Sequence, residues 1–208
     1  MALRGRTALV TGAGRGLGRA TAERLATEGA DLVLVSRTAV EVEEAAAWAR
    51  ARGVRAVAVA VDVSSAHAVD ALRDRLADEL GPIDIVVNNA GNLLYKPFVP
   101  LPGRRPAPGF DTPIDDEEWA AVLGTHLGGA VNVLRAFGPG MLERGYGRVV
   151  NVVSNVVRRT VPFTVAYDTA KGALVQLTRS LAREWGPYGV TVNAIAAGHF
   201  PTPMTREQ

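Results

Sequence analysis

The stretch TALVTGAGRGLG runs from Thr7 to Gly18. Its first five residues are typical of a short buried strand, and an apolar-periodic segment follows the glycines, so the order is strand, glycine turn, helix. Glycines without a Cβ let backbone N–H groups and the positive end of a helix dipole approach a pyrophosphate. The spacing fits T-G-x-x-x-G-x-G and not G-x-G-x-x-G, because Leu17 stands where the second pattern needs its last glycine. Taken alone, the turn is equally compatible with a purely structural role.

Strand and helix patterns alternate along the whole chain, which predicts a parallel sheet covered by helices on both faces. We therefore expect one domain over residues 1–208 with a Rossmann-like, doubly wound α/β fold. The predicted strands are Thr7–Thr11, Asp31–Ser36, Arg55–Asp62, Ile83–Asn88, Arg148–Ser154 and Thr191–Ile195. The predicted helices are Gly16–Glu28, Ala39–Arg52, Ala66–Leu80, Asp115–Arg144 and Val165–Trp185. Ligands of such sheets bind beyond the carboxyl ends of the strands, where the glycine turn and several polar segments are placed.

Composition excludes several classes of function. A formal charge of +2, with acids between the arginines, predicts no nucleic-acid partner, although the sequence pI is near 9.3. The chain has no Cys, and its three His lack ligand spacing, so no metal site is expected. No apolar run approaches the roughly 20 residues of a membrane span, and we expect a cytoplasmic protein.

A Tyr, a Lys and a Ser form the candidate catalytic group. Only two lysines occur among 23 basic residues, and Lys171 stands four residues after Tyr167, one turn along a predicted helix. A nearby ammonium favours the phenolate, so Lys171 is expected to lower the pKa of Tyr167. Ser154, at a strand end, could hydrogen-bond a substrate oxygen in line with that phenol. A Tyr-x-x-x-Lys pair on a helix is also a common accident.

Together these residues resemble the short-chain dehydrogenase/reductase (SDR) family from about Leu3 to Met204. The motifs that carry the resemblance stand in the family's order: Thr11–Gly18, Asp62-Val63, Asn88–Gly91, Ser154, Tyr167, Lys171, Asn193–Ile195, Gly198 and Thr202. The resemblance implies reversible hydride transfer between a nicotinamide and a carbonyl or secondary alcohol of a small molecule. Tyr167 would exchange the hydroxyl proton, Ser154 would polarise the oxygen, and Lys171 would also bind the nicotinamide ribose.

The implied cofactor site takes residues from the ends of most predicted strands and from the helix Val165–Trp185. Asp62 would contact the adenine edge, Thr202 would anchor the carboxamide, and Asn88 would line the ribose approach with its neighbours. The full predicted set is Gly12, Arg15, Gly16, Leu17, Gly18, Ser36, Arg37, Asp62, Val63, Asn89, Ala90, Gly91, Tyr167, Lys171, Gly198 and Thr202.

NADP(H) is favoured over NAD(H) by the end of the second predicted strand. An Asp or Glu there would accept from the adenosine ribose hydroxyls. Ser36 and Arg37 stand there instead, and a guanidinium can bind a phosphate bidentately. Arg15, inside the glycine turn, adds a second cation. The alternative is that both arginines are solvated surface groups.

His126 is the most informative departure from the family. It stands where members usually carry a catalytic Asn that helps hold a water between the lysine and solvent. We therefore count His126 as the fourth catalytic residue, with an imidazole that could hold that water or titrate in the proton relay. A lone helical His is otherwise more often simply packed.

Three further departures concern the rim of the site. The stretch from Asn92 to Pro113 is longer than usual and holds six of the twelve prolines, which predicts an extended loop at the active-site mouth, at an oligomer contact, or as a tolerated insertion. Ala197 replaces a usual Pro. Members normally continue beyond the position of Gln208 through a substrate-covering segment and a last strand, so we expect a longer native polypeptide. Asn155, Arg158 and Phe163 are expected in the pocket.

Several functions stay open from the sequence. A ketoreductase of the 3-oxoacyl thioester type is favoured, and an NAD(H)-dependent sugar or steroid alcohol dehydrogenase is the first alternative. A lyase, an epimerase and an idle nucleotide-binding scaffold are others. The resemblance also implies a homotetramer or homodimer through the helices Asp115–Arg144 and Val165–Trp185.

Overall fold

The computed structural model describes residues 1–102 and 112–202, in which helices and strands alternate around one sheet. The strands are β1 (Thr7–Thr11), β2 (Asp31–Ser36), β3 (Ala56–Ala60), β4 (Ile85–Asn88), β5 (Gly147–Ser154) and β6 (Val190–Ala197). The helices are α1 (Gly16–Thr27), α2 (Ala39–Arg50), α3 (Ala66–Glu79), α4 (Asp116–Leu123), α5 (Gly129–Arg144) and α6 (Val165–Trp185). All pairings are parallel, in the order β3-β2-β1-β4-β5-β6. The predicted doubly wound fold is confirmed.

Two aspects of the elements differ from prediction. Strands β3 and β4 are shorter than predicted and β6 is longer, because apolar content does not show where ladder pairing stops. The long helix predicted over Asp115–Arg144 is divided, since Gly124–Gly128 forms a π-helical turn between α4 and α5. An Asp115 side chain that accepts from the Glu118 N–H at 2.8 Å fixes the start of α4 in a capping box.

The core lies on both faces of the sheet because side chains alternate along each strand. In β1, Leu9 packs with residues of α3 and α5, whereas Ala8 and Val10 pack with residues of α1 and α2. All three are fully buried. Helices therefore cover both faces, and the polar segments at the strand ends meet at one edge.

No helix among residues 1–102 and 112–202 is long and apolar enough to cross a membrane. Within the same ranges, no group of three or more His, Cys, Asp or Glu side chains is placed to hold a metal ion.

Candidate active site

The glycine turn joins β1 to α1 in a conformation that needs glycine. Gly12 and Gly16 have φ of 65° and 57°, which lie in the left-handed region that side chains disfavour. A Cβ on Gly18 would lie 2.1 Å from the Gly12 carbonyl oxygen, so the helix can approach the turn only with glycine there. Asn89 ties the turn to β4, because its Nδ2 donates to the carbonyl oxygens of Thr11 at 3.0 Å and Gly12 at 3.2 Å.

A cavity of about 190 Å³ opens at this turn and runs along the ends of the first strands. Arg15 caps α1 without a side-chain hydrogen bond, and the first turn of α1 contains no acidic residue. The first N–H groups of the helix therefore remain available to an anion. The lining includes Gly12, Arg15, Gly16, Leu17, Ser36, Arg37, Asp62, Val63, Asn89, Ala90, Gly91 and Thr202 of the predicted cofactor set.

A carboxylate, Asp62, and a guanidinium, Arg37, both line this cavity. Asp62 Oδ1 accepts from the backbone N of Ser64 at 2.9 Å and from its hydroxyl at 2.7 Å. These two hydrogen bonds lower the pKa of Asp62, and the Arg37 guanidinium lowers it further, although partial burial opposes them. Arg37 itself is exposed. The cavity wall thus carries a hydrogen-bonded carboxylate and an exposed guanidinium at the end where an adenosine would lie.

Tyr167, Lys171 and Ser154 come together at the carboxyl end of β5. Tyr167 and Lys171 lie one turn apart on α6, as predicted, and the Lys171 Nζ is 5.6 Å from the centroid of the Tyr167 ring. Lys171 is only 4% exposed and donates to the Val152 carbonyl oxygen at 2.7 Å. Ser154 ends β5, donates its hydroxyl to Asn155 Oδ1 at 3.3 Å and lies beside Tyr167.

The predicted lowering of the Tyr167 pKa by Lys171 is wrong for this structure. Burial raises the pKa of Tyr167, and the hydrogen bond with Ser154 lowers it without reversing that direction. The ammonium is directed to the Val152 carbonyl, while burial itself lowers the Lys171 pKa to about 8. Desolvation therefore decides the direction of both pKa shifts, and the spacing of the two residues in the sequence cannot show it.

A second cavity of about 430 Å³ lies against these three side chains. It shares Leu17, Asn89, Gly91 and Thr202 with the first cavity, so the two adjoin. Gly198, predicted for the cofactor, lies here together with Asn155. Arg158 and Phe163 were also predicted in this pocket, but they do not line the cavity. Arg159 and Thr160 line it instead. The sequence did not indicate these two residues, since no pattern shows which of several successive polar residues faces a cavity.

The loop after β4 forms part of the same wall. Leu93 and Tyr95 line the second cavity, and the loop is held by a Lys96 N–H that donates to the Phe163 carbonyl at 2.8 Å. Lys96 also pairs with Glu118 of α4. The described part of the Pro-rich stretch thus lies at the mouth, and residues 103–111 lie outside the described residues.

Comparison with known sequences decides the family. The sequence profile described as short chain dehydrogenase matches residues 6–208. The chain belongs to the short-chain dehydrogenase family. It is 42% identical over 200 residues to the short-chain reductase protein NovJ of Streptomyces niveus. This alignment covers 96% of this chain and 71% of NovJ. With named oxidoreductases among its relatives, this short-chain dehydrogenase is an enzyme of the oxidoreductase class.

Two solved structures show the same architecture. A putative NAD(P)-dependent gluconate 5-dehydrogenase from Beutenbergia cavernae, with NADP bound at low occupancy, matches at a TM-score of 0.87 and 35% identity over 99% of this chain and 77% of that one. A 3-ketoacyl-(acyl-carrier-protein) reductase from Brucella melitensis complexed with NADH matches at a TM-score of 0.84 and 32% identity, over 97% of this chain and 79% of that one.

His126 lies in the π-helical turn of this short-chain dehydrogenase, pressed against the active site. It is 3% exposed, and its ring meets that of Tyr167 edge-on with centroids 5.1 Å apart. Nε2 lies 2.6 Å from the Asn92 carbonyl oxygen and 3.1 Å from the Asn92 backbone nitrogen; the shorter contact places the proton on Nε2 and leaves Nδ1 as an acceptor. Burial, and secondarily Lys171, lower the His126 pKa to about 3. This lowered pKa does not support titration of His126 in the relay, because the imidazole would stay neutral near pH 7; the relay role stays a prediction for the pH profile to test.

A cavity of about 10 Å³ lies beneath the catalytic side chains, lined in part by His126, Asn88 and Lys171. Within the described residues, His126 Nδ1 and Asn88 Oδ1 are buried polar atoms without a hydrogen-bond partner. Asn88 was expected in the cofactor cavity, but it points away from it and donates to Asn151 Oδ1 at 2.9 Å. Successive residues at a strand end face opposite sides, so Asn89 takes the cofactor side and Asn88 the interior.

Proposed function

We propose that this short-chain dehydrogenase is an NADP(H)-dependent oxidoreductase that interconverts a carbonyl and a secondary alcohol, acting as a ketoreductase. The observation that carries the proposal is the contiguity of the two cavities. One is lined by the glycine turn and a guanidinium, and the other by Ser154, Tyr167 and Lys171. A reacting carbon in the second cavity would therefore lie next to the end of a dinucleotide that extends from the first.

Each catalytic side chain has a role that its position supports. A bound nicotinamide supplies the hydride. Ser154 and Tyr167 both line the second cavity, so their two hydroxyl groups can contact one substrate oxygen. Because burial raises its pKa, Tyr167 holds its proton at neutral pH and can donate it to the oxygen of a carbonyl being reduced.

The choice of NADP(H) rests on charge at the adenosine end. Arg15 and Arg37 line the first cavity together with Ser36, and Asp62 is the one carboxylate among its described lining residues. Asp62 Oδ1 is held by Ser64 on the following turn. The N–H groups of two planar guanidinium groups can donate hydrogen bonds to the oxygens of a 2′-phosphate. The NADP in the Beutenbergia structure supports this preference, and the NADH in the Brucella structure is the reason to test it.

For His126 we propose the water-holding role that the family resemblance implies. The small cavity has the volume of about one water molecule. A water there could accept from Lys171 Nζ, which also donates to the Val152 carbonyl oxygen, and donate to His126 Nδ1 and Asn88 Oδ1. All three buried groups would then be satisfied, as buried polar groups generally are.

A cofactor titration combined with one variant tests the proposal. In a fluorescence titration we expect NADPH to bind more tightly than NADH. In assays with a panel of ketones and 3-oxoacyl thioesters, we expect NADPH absorbance to fall as NADPH is oxidised. Tyr167→Phe keeps the ring and its contact with His126 but removes the proton, so NADPH binding should persist while turnover falls by about a hundredfold or more. Substantial turnover by Tyr167→Phe would refute the assignment of the acid.

A further inference from the structure

The charges around the substrate cavity are of one sign. Its ionic lining groups are Lys171 and Arg159, and none of the described residues that line it is Asp or Glu. Lys171 is buried and already donates to the Val152 carbonyl. Arg159 is exposed, and no ion pair within the described part of the chain engages its guanidinium. Arg159 is therefore the cation available to a ligand in this cavity.

Acids near the cavity are engaged elsewhere. Asp168 follows Tyr167 on α6, and its Oδ1 accepts from the Thr164 hydroxyl at 2.9 Å. Glu118 of α4 is paired with Lys96. Neither carboxylate lines the cavity. Lys171 and Arg159 thus give the cavity wall a positive charge with no carboxylate among its described lining residues, which favours a negative ligand.

The backbone fixes Arg159 relative to the catalytic hydroxyl. Ser154 accepts from the Val156 N–H at 3.4 Å at the start of the short helical turn Asn155–Val157. Both Arg158 and Arg159 donate their N–H groups to the Asn155 carbonyl, at 3.0 and 3.1 Å. The guanidinium and the Ser154 hydroxyl are therefore carried on one hydrogen-bonded turn. If the carbonyl oxygen of a substrate contacts Ser154, a second substrate group a few bonds from that carbonyl would lie near Arg159.

We infer that the substrate carries a carboxylate on the same small molecule as the reacting carbonyl or alcohol, and that Arg159 binds that carboxylate. A guanidinium fork matches a carboxylate with two parallel hydrogen bonds, which fixes the orientation of the carbonyl as well as adding affinity. The inference names the substrate class of the proposed function and rests on it. Specificity for an oxo acid or hydroxy acid then comes from this chain's own turn after β5.

The test compares oxo acids with their neutral esters. Methyl ketones that carry a terminal carboxylate at increasing distance, from 3-oxobutanoate upward, are assayed with NADPH beside their methyl esters. Arg159→Met removes the charge and keeps the length of the side chain. Arg158→Met is the matched control, because Arg158 is the adjacent exposed arginine and does not line the cavity.

We expect wild type to favour at least one oxo acid over its ester by about tenfold in kcat/KM, since an exposed guanidinium contributes modestly. Arg159→Met should abolish that preference by lowering the value for the acid alone, and Arg158→Met should keep it. An equal or better ester in wild type, or an equal loss in both variants, overturns the inference while the proposed oxidoreductase function stands.

A binding arm separates failure of the inference from failure of the proposed function. Calorimetric titration of the NADP-loaded protein with an unreactive carboxylate such as butanoate reports the subsite without any turnover. Binding to wild type and Arg158→Met but not to Arg159→Met supports the carboxylate subsite even if no compound is reduced. If no compound is reduced, absence of Arg159-dependent binding overturns it.

Discussion

The contact between Gly91 and His126 gives a sharp test of how the site is assembled. A Cβ on Gly91 would lie 2.2 Å from His126 Cε1 and 2.7 Å from Nδ1. Ordinary carbon contacts are about 3.5 Å, so Gly91→Ala brings an overlap of roughly 1.3 Å. The imidazole cannot turn away freely, because Nε2 is bonded to Asn92 and its ring packs on Tyr167. Overpacking of this kind costs about 1–3 kcal/mol, partly offset by a less flexible unfolded chain.

A double-mutant cycle measures this overlap directly. For a protein of this size, about 1–3 kcal/mol lowers Tm by roughly 2–12 °C, which thermal and urea unfolding both detect. The three atoms nearest to the added Cβ all belong to His126, so Gly91→Ala in a His126→Ala background should cost less than about 0.5 kcal/mol. If Gly91→Ala costs the same in both backgrounds, His126 does not occupy this position.

Two further outcomes follow from charges in the site. Arg37→Ser should raise the Kd of NADPH by about tenfold and change that of NADH by less than about twofold, because only the 2′-phosphate loses a partner. Equal losses for both cofactors in a fluorescence titration would contradict the phosphate role. Carbonyl reduction should fall as pH rises through about 8, because Lys171 then loses the ammonium charge that is expected to bind the nicotinamide ribose. His126, with its pKa near 3, is neutral from about pH 5 upward, so His126→Asn should leave that midpoint in place; a shifted midpoint would show that His126 titrates.

Prediction from sequence succeeded where local pattern and chemistry coincide. The glycine turn needs positive φ and close backbone approach, so its glycines identify it without tertiary information. Tyr167 and Lys171 were placed on one helical face by their spacing alone. The end of β3 and the π-helical turn at His126 were missed, because strand ends and turn geometry depend on partners that are distant in sequence.

The sequence by itself determined the doubly wound fold, the family and which residues gather at the strand ends, since periodicity and glycine chemistry are local. Tertiary structure decided the protonation and direction of those groups. Burial set the pKa of Tyr167 above its ordinary value and that of His126 far below, and the side of a strand end turned Asn88 inward and Asn89 outward. Desolvation depends on every neighbour in space, so it becomes visible only after the chain is folded.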